Sequence, residues 1–359
     1  MSLLKEFIEK LESEEEDVRL ITVEDIVDNN MVEMVPYLIR RLTKEDSIIV
    51  KETIVYALKN LDCSGAYNQL FYLFKSPDAY LRNCAIGIFA SSGDRAVDFL
   101  STRFEDEDKE VKKLILDTLF EIGSKNAILI IRRGLRDEAI NVKITAVEYL
   151  GRLKDLDSIP DLLAILESSE HPMLIVSVIE ALLEIDDKKT LEKALNILIP
   201  DEDIGNLEPI YIPGVLKILG RLGRINSILK LIEGIDVETY AEEIISMIEE
   251  LDEKSLVELF AYPKVQGIMI EMVRNKNIDS PIRYKVGEYI SRISNIPSET
   301  LLDIGTSLLL EEDSLKVVGI NLISLSKSRE AKKILLELLE YTDDEVIRKL
   351  CLDTLNSLE

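Results

Sequence analysis

The chain has 359 residues, 47% of them apolar and 31% charged, with a formal net charge of −25. That charge opposes non-specific binding to nucleic acid or to an anionic membrane, both of which need clustered Lys and Arg. No apolar run approaches the roughly 18 to 20 residues of a membrane span, the opening MSLLKEFIEKLESEEED lacks the pattern of a secretory signal, and three scattered cysteines, Cys63, Cys84 and Cys351, suit a reducing cytoplasm.

Leu3 to Leu11 is predicted as an unpaired amphipathic helix that covers the end of a repeat array. After it, an apolar residue followed by a basic one recurs as Val18-Arg19, Val50-Lys51, Leu81-Arg82, Val111-Lys112 and Val142-Lys143, at steps of 32, 31, 30 and 31. Thr22, Ile54, Ala85, Ile115 and Ala146 follow four residues on, and Ile26, Leu58, Phe89, Leu119 and Leu150 four beyond those. A register held across whole helices at one period marks stacked helical hairpins. Second helices are predicted near Met31–Leu42, Gly65–Lys75, Arg95–Phe104, Asn126–Leu135 and Ser158–Glu167. The cleanest copy is Asn141 to Leu166, where Val142, Ala146, Tyr149, Leu150 and Leu153 form one stripe and Ile159, Leu162, Leu163 and Leu166 the other.

A sixth repeat keeps the stripe as Leu174, Val178, Leu182 and Ile185 but lacks the basic residue. An acidic, proline-bounded segment follows, Pro200 to Pro209, read as an inserted loop or a change of curvature. The register resumes at Val215, Leu219 and Leu222, then Ile225 to Ile232, with a further pair near Val237–Leu251 and Lys254–Ala261. Pro263 to Asn277 reads as one helix of unassigned type. The basic signature returns at Ile282-Arg283, Leu315-Lys316 and Ile347-Arg348. The expected organisation is one domain over 1–359: regular repeats over 1–200, the acidic insertion at 201–209, irregular repeats over 210–281, and regular repeats with a terminal cap helix over 282–359.

These residues resemble the HEAT repeat superfamily, in particular the short HEAT-like repeat first associated with phycobilisome lyases. The resemblance is closest at Val142-Lys143, Ala146, Leu150-Gly151-Arg152-Leu153, Ile159-Pro160 and Leu162-Leu163. It implies an all-α, right-handed α-solenoid of about eleven hairpins, with second helices lining the concave face. It does not imply one function, because such repeats serve scaffolds, adaptors, lyases and a few enzymes.

Catalytic and metal chemistry is disfavoured. Deoxyhypusine hydroxylase, a HEAT-like enzyme, uses several His-Glu pairs, whereas this chain has one histidine, His171, expected at a loop or helix start. HEAT-like DNA glycosylases use a strongly basic face with aromatic clamps, and this chain has no Trp. Gly123, Gly151, Gly220 and Gly223 fall near the ends of first helices, where caps or close turns explain them. No catalytic residue, metal or cofactor is expected.

The acidic clusters at 14–17, 105–108, 311–313 and 343–345 precede first helices, where carboxylates cap free N–H groups. The cluster at 201–203 stands apart, and an acidic ridge for a basic partner is the alternative reading. The ladder Arg19, Lys51, Arg82, Lys112 and Lys143 is expected to pair with acidic loops, with a bound anionic partner as the alternative. The second helices place Arg40, Arg41, Tyr72, Lys75, Arg103, Arg132, Arg133 and Arg136 outward, whereas later repeats put Ala164, Glu167 and Asn196 at comparable places. Arg and Tyr are favoured interface anchors. The expected function is therefore a cytoplasmic, non-catalytic adaptor or scaffold, binding a protein partner, one with an acidic surface being the natural complement, along the second helices. Neither nucleic acid nor membrane is expected. The alternative is an enzyme on the same scaffold, a bilin lyase before a DNA-repair glycosylase.

Overall fold

A hairpin with an apolar stripe on each helix cannot bury both stripes against itself, so it must stack on copies of itself. The computed structural model, which describes residues 3–293 and 295–358, shows this stacking in two compact units, Met1–Asp186 and Asp187–Glu359. All regular secondary structure among the described residues is helical.

The first unit begins with the cap helix α1 (Leu3–Leu11), which buries Phe7 and Leu11 on the next helix. First-type helices are α2 (Glu16–Asp28), α4 (Ile48–Asn60), α6 (Ala79–Ser91), α8 (Lys109–Ile122), α10 (Ile140–Arg152) and α12 (Pro172–Ile185), each packed on the one before. Between them lie the second-type helices α3 (Val35–Leu42), α5 (Tyr67–Tyr72), α7 (Asp94–Arg103), α9 (Lys125–Gly134) and α11 (Ile159–Ser168). The apolar register has its physical basis here: Ile54, Ala85, Ile115 and Ala146 are fully buried, as are Ile26, Phe89, Leu119 and Leu150.

The second unit comprises α13 (Lys188–Leu198), α14 (Ile212–Leu222), α15 (Ile225–Gly234), α16 (Ala241–Glu249), α17 (Glu253–Phe260), α18 (Pro263–Arg274), α19 (Ser280–Ile290), α20 (Ser298–Leu308), α21 (Asp313–Ser326), α22 (Arg329–Tyr341) and α23 (Glu345–Ser357). The acidic insertion forms short 3-10 turns at Pro200–Glu202, Ile204–Asn206 and Pro209–Tyr211. First-type helices here are α14, α16, α19, α21 and α23. With the six above they make eleven among the described residues, in agreement with the repeat count from sequence. Pro263 to Arg274 is one helix, as read from sequence. It packs on α17, α19 and α20 while α16 meets α19 directly, so the second layer holds an extra helix there and the period stretches. The closing core joins Ile320, Ile323, Ala331, Leu335, Ile347 and Cys351.

Helix starts follow from capping chemistry. The Asp108 side chain accepts from the N–H groups of Glu110 at 2.9 Å and Val111 at 3.1 Å, and Asp344 from that of Ile347 at 2.9 Å. Glu15 and Glu312 stand at the same place without a side-chain cap. His171 starts α12, its ring accepting from the Leu174 N–H at 3.4 Å. Gly123 ends α8 in the left-handed region at φ 61°, where a side chain is strained.

Between repeats, directional contacts join the basic ladder to the loops. Arg19, buried in α2, donates to both carboxylate oxygens of Glu45 at 2.8 Å and to the carbonyls of Ser13 and Glu14 at 2.9 Å. Glu45 also accepts from the backbone N–H groups of Asp46 and Ser47 and from Arg41 Nε at 2.8 Å. Lys112 repeats the contact with Asp137 at 2.6 Å, and Arg283 with Glu311 at 3.4 Å. Where the next loop offers Ser76 instead of an acid, Lys51 lies 5.6 Å over the Tyr80 ring, and Arg82 bonds the Ser76 carbonyl at 2.6 Å.

Two predictions test this packing. A Cβ on Gly151 would lie 2.6 Å from the Ala181 Cα, a backbone atom that cannot turn aside. Gly151→Ala should cost about 1–3 kcal/mol in urea unfolding, while Gly65→Ala, with no neighbour within 4 Å, should change it by less than about 0.5 kcal/mol. Burial alone would raise the Glu45 carboxyl, but hydrogen bonds from Arg19, Arg41 and the Ser47 N–H outweigh it and hold the group at about 2 instead of 4.5. A depressed carboxylate contributes stability present above its ordinary pKa and lost as pH falls through the folded value. Glu45→Gln should therefore cost about 3 kcal/mol at neutral pH, because Arg19 stays buried without its counter-charge. The gap between variant and wild type, read from urea midpoints, should narrow as pH falls from 4.5 towards 2.

Candidate partner-binding surface

All eight outward candidates lie in the first unit. α3 carries Arg40 and Arg41, Tyr72 ends α5, Lys75 sits in the 3-10 turn that follows, α7 ends on Arg103, and α9 carries Arg132 and Arg133 with Arg136 just beyond. Most therefore sit at or near helix C-termini, where positive charge is favoured.

The structure separates them into two groups. Arg41 and Arg132 are recessed. Arg41 shares Glu45 with Arg19, and its guanidinium also reaches Glu12 at 3.4 Å. Arg132 grips Asp155 in a fork at 2.7 and 2.5 Å and touches Asp157 at 2.9 Å. Its hydrogen bonds to Asp155 raise its already high pKa. Both act as repeat-to-repeat contacts.

The other six reach solvent. Arg40 lies 5.4 Å over the Tyr37 ring and 3.4 Å from Glu12. Lys75 pairs with Glu107 at 2.8 Å, Arg133 with Glu105 at 2.5 Å, and Arg136 with Asp161 at 3.5 Å. Arg103 donates to the Asn68 amide oxygen at 2.7 Å and lies 5.4 Å over the Phe99 ring. Lys75 and Arg103 share the ring of Phe71, at 5.8 and 5.9 Å. Tyr72 is 72% exposed. Arg40, Tyr37 and Tyr72 meet around a groove of about 480 Å³ between α3 and α5, floored by Pro36, Ile39 and Leu73.

Two kinds of residue here escaped the sequence reading. Tyr37 precedes Arg40 by three residues, one helical turn, and that spacing was its signal. Glu45 and Asp137 stand outside the conspicuous acidic clusters. Their signal was a fixed offset, 26 and 25 residues after Arg19 and Lys112.

Cys63, Cys84 and Cys351 are buried, and burial raises each thiol, Cys63 to about 12. The Asp117 carboxylate accepts from the Tyr149 hydroxyl at 2.5 Å across α8 and α10, and burial raises its pKa. Among the described residues no group of three or more His, Cys, Asp or Glu is arranged to hold a metal ion. No helix among the described residues is long and apolar enough to cross a membrane.

A family model of HEAT repeats matches residues 97–183 and, overlapping, 130–204. No curated protein sequence matches the chain. Among solved structures, the karyopherin Kap121p bound to the extreme C-terminus of the protein phosphatase Cdc14p aligns at TM-score 0.59 and 12% identity, over 99% of this chain and 44% of that one. Kap121p bound to Pho4p aligns at TM-score 0.59 and 11% identity, over 98% and 45%. The chain thus spans less than half the length of Kap121p, and at this identity the likeness is one of fold. Human deoxyhypusine hydroxylase aligns only at TM-score 0.31 and carries no argument. The repeat period, the stacked rows of helices within each unit and these matches lead to one conclusion: the chain is an all-α solenoid, similar to HEAT repeats over residues 97–204.

Proposed function

We propose that the protein is a non-catalytic, cytoplasmic adaptor or scaffold whose repeats over 1–359 serve as one binding domain for a protein partner. The partner would lie along the second helices of the first unit, and neither nucleic acid nor membrane is its ligand. The observation that carries this reading is the groove between α3 and α5, where Tyr72 stands 72% exposed beside Arg40 and Tyr37. A large aromatic side chain left in water next to a guanidinium is the composition of an interface anchor. Lys75, Arg103, Arg133 and Arg136 extend it along the following helices.

Intrachain carboxylates already pair with most of these cations, which refines the chemistry of the partner. The pairs of Arg40, Lys75, Arg133 and Arg136 are partly or largely exposed, and exposed pairs contribute about 0–1 kcal/mol each. An acidic partner surface would exchange with Glu12, Glu105, Glu107 and Asp161 at little cost. Arg41 and Arg132 would stay with their buried acids and hold the helices that present the others. Kap121p holding Cdc14p and Pho4p supports the general capacity of such an array to bind a protein segment.

The test is a pull-down from native extract with the wild type, with Tyr72→Ala, and with the combined Arg40→Glu, Arg103→Glu and Arg133→Glu variant, folding being checked by circular dichroism. Specific partners should be lost from both variants. An unchanged partner set would remove the surface, and a purified protein that alters the absorption spectrum of a bilin would overturn the non-catalytic reading.

A further inference from the structure

In the second unit, another groove of about 620 Å³ lies between the second-type helices α20 and α22. Its apolar lining is Leu309, Leu310, Ile334, Leu338 and Tyr341. Leu310 is 86% exposed and Tyr341 83%. Large apolar side chains gathered in water mark an interaction surface more strongly than a single exposed one. Its charge is opposite to that of the tyrosine-lined groove of the first unit.

The rim holds four carboxylates, Asp313, Glu337, Asp343 and Asp344, against one ammonium, Lys316, which is itself paired with Asp313 at 2.7 Å. Asp344 uses one oxygen to cap α23. Glu337 pairs with Lys333 at 3.8 Å, both side chains exposed. The acidic run at 343–345 is thus only partly explained by capping.

We propose that this groove docks a basic amphipathic segment of a partner protein, its apolar side chains on Leu310 and Tyr341 and its Lys or Arg residues on the carboxylate rim. Charge complementarity selects this occupant. An acidic segment would meet four like charges, and an uncharged one would leave the rim unanswered. The inference rests on the reading of the chain as a protein-binding array but uses a surface that shares no residue with the first.

The test is fluorescence anisotropy of the full chain with a labelled helical peptide of about 18 residues, built from leucine and lysine with the leucines on one face. Saturable binding is expected, weakening as salt rises. Tyr341→Ala and Leu310→Ser, both at exposed positions, should each weaken it about fivefold or more. Asp343→Lys should weaken it and flatten its salt dependence. A lysine-only peptide of equal charge should bind about tenfold more weakly, and the glutamate counterpart should not bind. Unchanged affinity in the groove variants, or equal binding of the lysine-only peptide, overturns the proposal. The variant with Arg40, Arg103 and Arg133 replaced should bind the leucine–lysine peptide like the wild type. Failure of this groove therefore leaves the pull-down result standing, and loss of the pull-down result leaves this titration standing.

Discussion

The packing of successive repeats in the first unit turns on a carboxylate held between helices of consecutive repeats. The apolar register brings hairpins together, but apolar contact is nearly non-directional and leaves the turn between second and first helices underdetermined. Glu45 settles that turn. Its oxygens take two guanidinium groups and two backbone N–H groups, so the loop after α3 and the start of α2 are tied in one geometry. Desolvating a carboxylate and a guanidinium is costly, and pairing offsets that cost only when nearly every lone pair is used. The net gain in stability is small, whereas breaking one partner is expensive. Such a contact orients a repeat more than it strengthens it, and Lys112 with Asp137 applies the same device three repeats later.

The same economy explains why a chain of net charge −25 can carry a row of arginines without a strongly positive surface. Glu12, Glu105, Glu107 and Asp161 stand opposite them at contact distance. Burial decides which pairs are fixed and which can exchange. Arg132 and Asp155 are shielded from solvent and form a bidentate fork, strong and directional. Arg136 and Asp161 are exposed and 3.5 Å apart, with little holding them. Sequence alone assigns both arginines the same weight, since they lie four residues apart and differ only in what the next loop and helix α11 place beside them.

That difference marks where the sequence stops being legible. Period and helix faces could be read because they depend on spacing within one segment: Leu3–Leu11 was recognisable as a helix, and Ile54, Ile115 and Ala146 as core. His171 at a helix start followed from the proline after it. The extra helix α18 was visible as a helix but not as a second-layer insertion, because that depends on α16 meeting α19 past it. The pairing of Arg19 with Glu45, and the meeting of Tyr72 with Tyr37 and Arg40, join separate segments through side-chain direction, which spacing within one segment does not encode.

Repetition also offers a way to read specificity. Every gap between consecutive second helices can become a groove, and the repeat itself dictates only its dimensions. Side chains at surface positions, free of the core register, then set its chemistry. Between α3 and α5 these are tyrosines and an arginine, and between α20 and α22 they are leucines, a tyrosine and a ring of acids. Neither set is needed for stacking, since Tyr72, Leu310 and Tyr341 bury little of their surface. Exposed apolar side chains contribute nothing to the fold that a polar residue would not, and they increase the risk of aggregation. Their presence in grooves of opposite charge is what the two proposed docking events would require.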